Sequence, residues 1–166
     1  IMDITFAGNK VNLIGNEIKV GDDAPTFKAT KNDLSEWSSE DDKGKVVVYS
    51  VAPSLDTSVC ALQAKRFNKE AAALDGVNIV TVTEDLPFAQ ARFCSNEDIE
   101  NTIMVSDYKD REFGEKYGFL MQENKLLARG IVIVDKDGKV AYVEYVPEVT
   151  DEVDFATALE EIKKLI

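Results

Sequence analysis

Val46-Val47-Val48-Tyr49-Ser50-Val51, followed by Pro53-Ser54-Leu55-Asp56-Thr57-Ser58-Val59-Cys60, is the stretch that decides the fold. The first run is dominated by valine and carries no charge, the mark of a central strand buried on both faces. Pro53 has no N–H to continue a ladder and ends the strand. Thr57 and Ser58 are both good helix N-caps. Val59, Leu62, Phe67, Ala71 and Leu74 then recur at roughly helical spacing, ending before Gly76. Val77–Val82 is a second apolar run. A buried strand, a helix and another buried strand make a βαβ unit, hence parallel strands at the centre of a sheet.

Working outward, Leu86–Cys94 reads as a short helix, Ile103–Val105 as a third short strand and Asp110–Tyr117 as a helix stopped by Gly118. Ile131–Val134 and Val140–Val146 flank Asp135-Lys136-Asp137-Gly138, a hairpin turn. Phe155, Leu159, Ile162 and Ile166 share one face of a C-terminal helix. Asp151, Glu152 and Asp154 suit its N-terminal dipole, and Lys163 and Lys164 its C-terminal end. On the N-terminal side, residues 2–20 alternate and contain the turn pairs Gly8-Asn9 and Gly15-Asn16, predicting a β-hairpin. Gly21–Pro25 is a connector, and Thr30–Lys45, with Trp37 inside it, an edge segment ending in a turn. The order β-α-β-α-β-α-β-β-α behind an N-terminal hairpin predicts an α/β, thioredoxin-like arrangement: a central mixed sheet with helices on both faces. Residues 1–166 read as one domain, the natural count at this length.

Composition removes whole classes of function. The 166 residues hold 19 basic and 31 acidic side chains, for a net charge of −12. That balance argues against nucleic acid and against anionic membrane surfaces as partners. There is no histidine. Ser-His-Asp and Cys-His catalysis, His-ligated zinc, facial-triad iron and His-ligated haem are therefore excluded. Two cysteines cannot make a four-thiolate metal site. The longest uncharged apolar stretch, Val46–Leu55, is far short of the roughly 20 residues that span a bilayer. With no secretory signal pattern at the N-terminus, the expected location is cytoplasmic.

A nucleophile in this chain needs activation without histidine, and Cys60 offers it. Placed in the first turn of a helix, a cysteine meets unsatisfied N–H groups and the positive end of the dipole, which favour thiolate. The Thr57 hydroxyl, three residues back, is within reach of the sulfur, and Pro53 leaves a pocket floor that does not compete for hydrogen bonds. The competing reading of Cys60 is a small buried hydrophobe.

Pro53-x-x-x-Thr57-x-x-Cys60 at a strand-to-helix junction resembles the active-site loop of peroxiredoxins. With Asp85-Leu86-Pro87-Phe88-Ala89-Gln90-Ala91-Arg92-Phe93-Cys94 and the Gly21-Asp22-Asp23-Ala24-Pro25 entry, the chain resembles the thiol peroxidase group, atypical two-cysteine peroxiredoxins, over essentially its whole length. The resemblance implies a thioredoxin-like fold and reduction of hydrogen peroxide and organic (alkyl) hydroperoxides. It makes Cys60 the peroxidatic and Cys94 the resolving cysteine, joined in an intramolecular disulfide that thioredoxin reopens, in a homodimer. It implies no metal, haem or flavin cofactor.

Cys94 lies 34 residues after Cys60, so this is no C-x-x-C pair. It reads either as a second core cysteine or as the thiol that condenses with a sulfenic acid on Cys60 before overoxidation. A cation is needed to polarise the peroxide. Of the arginines 66, 92, 111 and 129, Arg66 is about 240° around the helix from Cys60 and faces elsewhere. Arg92 travels with the Cys94 helix. Arg129, in an Ala-Arg pair just before a buried strand, matches the family's active-site arginine; otherwise it is a surface arginine in an ion pair. Asp135–Gly138 is too short for an EF-hand, and Gly44-Lys45 lacks the rest of a P-loop. Asp22-Asp23 and Glu40-Asp41-Asp42 read as solvated faces. Phe88 and Phe93 read as core packing or as an apolar wall for alkyl hydroperoxides. Two rival functions use the same residues: a redox-sensing interaction protein whose disulfide is a switch, and an inert binding module with buried thiols.

Overall fold

The computed structural model describes residues 2–71 and 73–166; Ile1 and Ala72, the latter within the expected helix after Cys60, lie outside them. In chain order the strands and helices are β1 (Ile4–Phe6), β2 (Asn9–Val11), β3 (Leu13–Ile14), β4 (Lys28–Lys31), β5 (Glu36–Ser38), β6 (Val46–Val51), α1 (Ser58–Arg66), β7 (Val77–Thr83), α2 (Pro87–Asn96), β8 (Ile103–Ser106), α3 (Glu112–Lys116), β9 (Leu120–Met121), β10 (Gly130–Val134), β11 (Val140–Tyr145) and α4 (Phe155–Leu165).

β6 is buried along its whole length, as its sequence requires, and lies near the middle of a seven-stranded sheet ordered β11-β10-β6-β7-β8-β4-β5. β6, β7 and β8 run parallel, and the outer neighbours pair antiparallel. The alternation of side chains divides the core into two faces. Val46, Val48, Ile79, Ile131 and Ile133 pack against Phe67, Ala71, Phe155, Ala158 and Ile162, which brings α4 and the end of the first helical segment onto one face. Met104, Leu55 and Ala64 seat Phe93 and Cys94 of α2. Val47, Tyr49, Val80, Val82 and Val132 are covered on the other face by Phe113 and Tyr117 at α3 and by Ile4 and Val11 of the N-terminal hairpin. Helices therefore cover both faces of a mixed sheet.

Three features depart from the sequence reading. The N-terminal hairpin is only β1–β2, Ile4–Val11, not residues 2–20. β3 instead pairs with β9, far along the chain. Gly15 then turns the chain at φ +97, so close beneath α3 that a Cβ there would sit 1.9 Å from the Glu115 carbonyl oxygen. The helix after Cys60 changes at Phe67–Ala71 into a π-helical turn that keeps Phe67 and Ala71 buried. Asp42, read as part of a solvated acidic face, is buried and accepts from Asn78 Nδ2 at 2.9 Å. Burial pushes its carboxyl above the usual range.

The topology creates the site. β6, β7 and β8 are parallel, so their C-terminal ends, Val51, Thr83 and Ser106, share one edge of the sheet. The loops leading into α1, α2 and α3 leave from that edge. β10 runs antiparallel to β6 with Gly130 opposite Val51, so Arg129 enters at the same edge. Open α/β sheets place their ligands at the carboxyl ends of the parallel strands.

Candidate active site

Thr57 is the N-cap of α1: extended at φ −103, it accepts the Cys60 N–H on its side-chain oxygen at 3.4 Å. Its hydroxyl hydrogen points to the Ser54 carbonyl, 3.1 Å away. The expected reach from the Thr57 hydroxyl to the sulfur is thus replaced in this state by a bond to the Cys60 backbone, because an N-cap side chain meets the third residue's N–H first. Thr57 stays exposed, while Pro53 is buried in the loop beneath it. Cys60 itself is 1% exposed.

The sulfur faces a cation. Arg129 is 2% exposed, and each edge of its guanidinium is occupied. Nη2 donates to Cys60 Sγ at 3.0 Å, Nη1 to Gln63 Oε1 at 2.9 Å and Nε to the Val149 carbonyl at 2.7 Å. A planar fork with this many donors suits arginine and not lysine. Next to it, Gly130 allows β10 to press against β11: a Cβ would lie 2.0 Å from the Glu144 carbonyl and 2.6 Å from the Phe119 ring. Gln63 is held in turn, its Nε2 donating to Ser50 Oγ at 2.9 Å and to the Val51 carbonyl at 3.1 Å. The Val149 carbonyl is fixed from outside: the loop is tied to β1 by Val149 N–H to Thr5 O at 2.8 Å and by Thr5 N–H to Pro147 O at 2.8 Å.

Cys94 occupies a different setting on α2. It is half-buried against Leu55, Ala64 and Met104, and Asn32 Nδ2 approaches its sulfur at 3.9 Å. Burial pushes the Cys94 thiol up. Both cysteines are free thiols. Their anchors are far apart: Arg129 precedes β10 and Asn32 follows β4, and these strands are separated by four strand spacings, about 19 Å.

A family model described as redoxin matches residues 19–161. The chain belongs to the redoxin family. Two curated relatives are thiol peroxidases. That of Halalkalibacterium halodurans is 49% identical over 160 residues, 96% of each chain. That of Bacillus subtilis is 48% identical over 164 residues, 99% of this chain and 98% of the relative. A crystal structure of a peroxiredoxin-like protein from Aquifex aeolicus matches with a TM-score of 0.94 and 42% identity, covering 100% of this chain and 98% of that one. A thiol peroxidase from Chromobacterium violaceum shares the fold, with a TM-score of 0.87 at 19% identity over 98% of this chain and 96% of that one. This redoxin is a thiol-dependent peroxidase with a thioredoxin-like fold.

Sequence reasoning left out two of the redoxin's site residues. Gln63 carried a signal, since it lies three residues after Cys60 and so on the same helix face, a polar side chain on an otherwise apolar stripe. The Val149 carbonyl carried none. Arg66 turns away from Cys60, as its angle required, and stacks over Phe155 with its guanidinium carbon 4.3 Å from the ring centroid. Phe88 is not core packing: it is 67% exposed, because Pro87 and Gln90 take the inward face of α2. Phe93 is the one that packs inward.

Proposed function

We propose that this redoxin reduces hydrogen peroxide and alkyl hydroperoxides with Cys60 as the peroxidatic and Cys94 as the resolving cysteine, and that thioredoxin restores it. The supporting observation is the Arg129 guanidinium, buried and donating to Cys60 Sγ at 3.0 Å. Cys60 attacks as thiolate at the terminal peroxide oxygen. The O–O bond breaks, the sulfur becomes a sulfenic acid, and the other oxygen leaves as water or alcohol after taking a proton. Arg129 stabilises charge first on sulfur and then on the oxygens, an electrostatic role. Thr57 turns its hydroxyl hydrogen from the Ser54 carbonyl to the peroxide, and buried Pro53 walls the pocket without a competing N–H. Cys94 then displaces water from the sulfenic acid to form the Cys60–Cys94 disulfide, and a dithiol of thioredoxin opens it by exchange. The enzyme acts in the cytoplasm as a homodimer of one-domain chains. Its charge of −12 suits neither nucleic acid nor an anionic membrane as partner, and among the described residues no helix is long and apolar enough to cross a membrane.

Peroxide consumption coupled to thioredoxin and its reductase tests the reading. The parent cycles repeatedly. C60S keeps the fold and consumes no peroxide, since serine gives no thiolate at neutral pH. Appreciable turnover by C60S removes Cys60 from the mechanism. Complete oxidation of the parent with negligible turnover favours a redox switch.

A further inference from the structure

Asp85 stands outside the roles assigned above, and it joins the two cysteine segments. It lies between the end of β7 and the start of α2. Its Oδ1 accepts from Ser54 Oγ at 2.7 Å. Its Oδ2 accepts the Leu55 N–H at 2.7 Å and the Thr83 hydroxyl at 2.9 Å. Its carbonyl accepts the Ser106 hydroxyl. Thr83 Oγ1 also accepts the Asp85 N–H at 3.1 Å and Gln90 Nε2 at 3.0 Å, and Gln90 makes a second bond from α2 to the Val105 carbonyl at 2.8 Å.

From Ser54 the chain of bonds runs to the nucleophile. Ser54 Oγ accepts the Asp56 N–H at 3.1 Å, and the Ser54 carbonyl accepts both the Thr57 N–H at 3.3 Å and the Thr57 hydroxyl at 3.1 Å. Thr57 then caps the Cys60 N–H. The turn 54–57 is exposed or half-exposed apart from Leu55 and is not part of a strand or helix, so little else fixes it. A carboxylate accepting several hydrogen bonds is a strong anchor, because bonds to a charged acceptor exceed neutral ones.

We propose that Asp85 is a positioning residue for peroxide attack: it holds the Ser54–Thr57 turn, and through it the Thr57 hydroxyl and the first turn of α1, in the geometry that receives peroxide. The proposal rests on Cys60 being the attacking residue. It meets the hold on α2 only at Thr83: Gln90 also donates to the Val105 carbonyl, an anchor that does not pass through Asp85. The two halves of the reaction therefore respond differently to loss of the Asp85 carboxylate. Attack, which needs a fixed turn, slows. Disulfide formation, which needs Cys94 to come free, does not.

Single-turnover kinetics with hydrogen peroxide separate these steps: attack is read as dimedone-trapped sulfenic acid in a C94S background, and disulfide formation as mass loss in the two-cysteine chain. D85A slows attack at least about tenfold, the scale of small displacements in a reacting pair. D85N, which keeps the shape and one acceptor for the Leu55 N–H, returns to within about threefold of the parent. S54A slows attack too, and S54A/D85A is no slower than D85A, because both changes cut one linkage. In D85A the disulfide step keeps the parent rate. A purely structural role predicts the opposite pattern, unchanged attack with a faster disulfide step from a loosened fold. Parental attack rates in folded D85A or in S54A, or multiplying effects in the double variant, overturn the proposal. If D85A does not fold, the S54A rate decides alone. C60S is run beside them: sulfenic acid formed without Cys60 sinks the functional reading itself, whatever Asp85 does.

Discussion

Replacing Arg129 by methionine tests the electrostatic core of the site. Methionine fills much of the same length, so the perturbation is mainly the loss of three donors: to Cys60 Sγ at 3.0 Å, Gln63 Oε1 at 2.9 Å and Val149 O at 2.7 Å. Removing one preorganised donor to developing charge typically costs two to three orders of magnitude, about 2.7–4 kcal/mol. The peroxide attack rate should fall by that amount. Stability changes less. Besides the sulfur, two buried oxygen acceptors, Gln63 Oε1 and the Val149 carbonyl, lose their partner, at about 1–3 kcal/mol each. Against that, a guanidinium no longer has to be desolvated, which offsets part of the loss. A net loss of about 2 kcal/mol lowers Tm by about 4–8 °C in a chain of this size. R129K keeps the charge but reaches one acceptor at a time, and recovers about tenfold over R129M. The assay is stopped-flow mixing of reduced protein with hydrogen peroxide, alongside thermal unfolding. A folded R129M that attacks within about threefold of the parent refutes the assignment, because no term of this size can then belong to that guanidinium.

Other expectations follow from the same geometry. C94S should react once with peroxide and hold Cys60 as sulfenic acid, with most thioredoxin-linked turnover lost; cycling at the parental rate would free Cys94 of the resolving role. On oxidation, amide exchange should rise near residues 58–62 and 88–95 while β6 and β10 keep their protection, and equal protection in both redox states would mean that no helix opens. Burial, with the charge of Asp107 beside it, pushes Glu84 up from its usual 4.5 to about 9. Between those values the folded chain holds a proton that the unfolded chain has released, so stability falls as pH rises through that window. E84Q should flatten the decline in Tm between pH 6 and 8.5, and a decline as steep as the parent's would show that Glu84 is not its source.

What was legible in the sequence was local. β6 announced itself by its valines, and the place of Cys60 followed from a cap and a turn only a few residues long. Arg129 was legible through its motif and not through physics, since nothing near it in sequence says that its fork will close on residues 60, 63 and 149. The N-terminal segment was over-extended for a related reason. Alternation shows that Leu13 and Ile14 can be strand residues, but their partner, β9, lies more than a hundred residues away. Asp42 looked solvated because its run is acidic, yet its partner is Asn78, on β7. Asp85 sat inside the quoted motif, but its role depends on Ser54 and Leu55 meeting it across the sheet edge. Pairings of this range are set by topology, which local patterns constrain only indirectly.

The two thiols sit in contrasting surroundings. Cys60 is almost wholly buried, and the group beside its sulfur is a guanidinium donating at 3.0 Å. Cys94 is less buried, yet it packs on Leu55, Ala64 and Met104, and burial pushes its thiol up. In the proposed reaction the more buried sulfur, beside the guanidinium, attacks, while burial keeps the more accessible Cys94 a thiol. That order suits a peroxidase. A resolving thiol that was already ionised would compete for peroxide and would be oxidised without a partner. The same burial must be undone for Cys94 to act, because a disulfide needs the two Cα atoms within about 7 Å. Unwinding the end of α2 takes Cys94 off its apolar seat, and both obstacles fall together: the sulfur gains reach, and in water its pKa relaxes toward the ordinary thiol value. In the proposed reaction, the opening of α2 is the event that would turn Cys94 from a packed side chain into a reagent. Gln90 ties α2 to Thr83 and Val105, so in the proposed opening Phe93 and Cys94, beyond that tether, come free first.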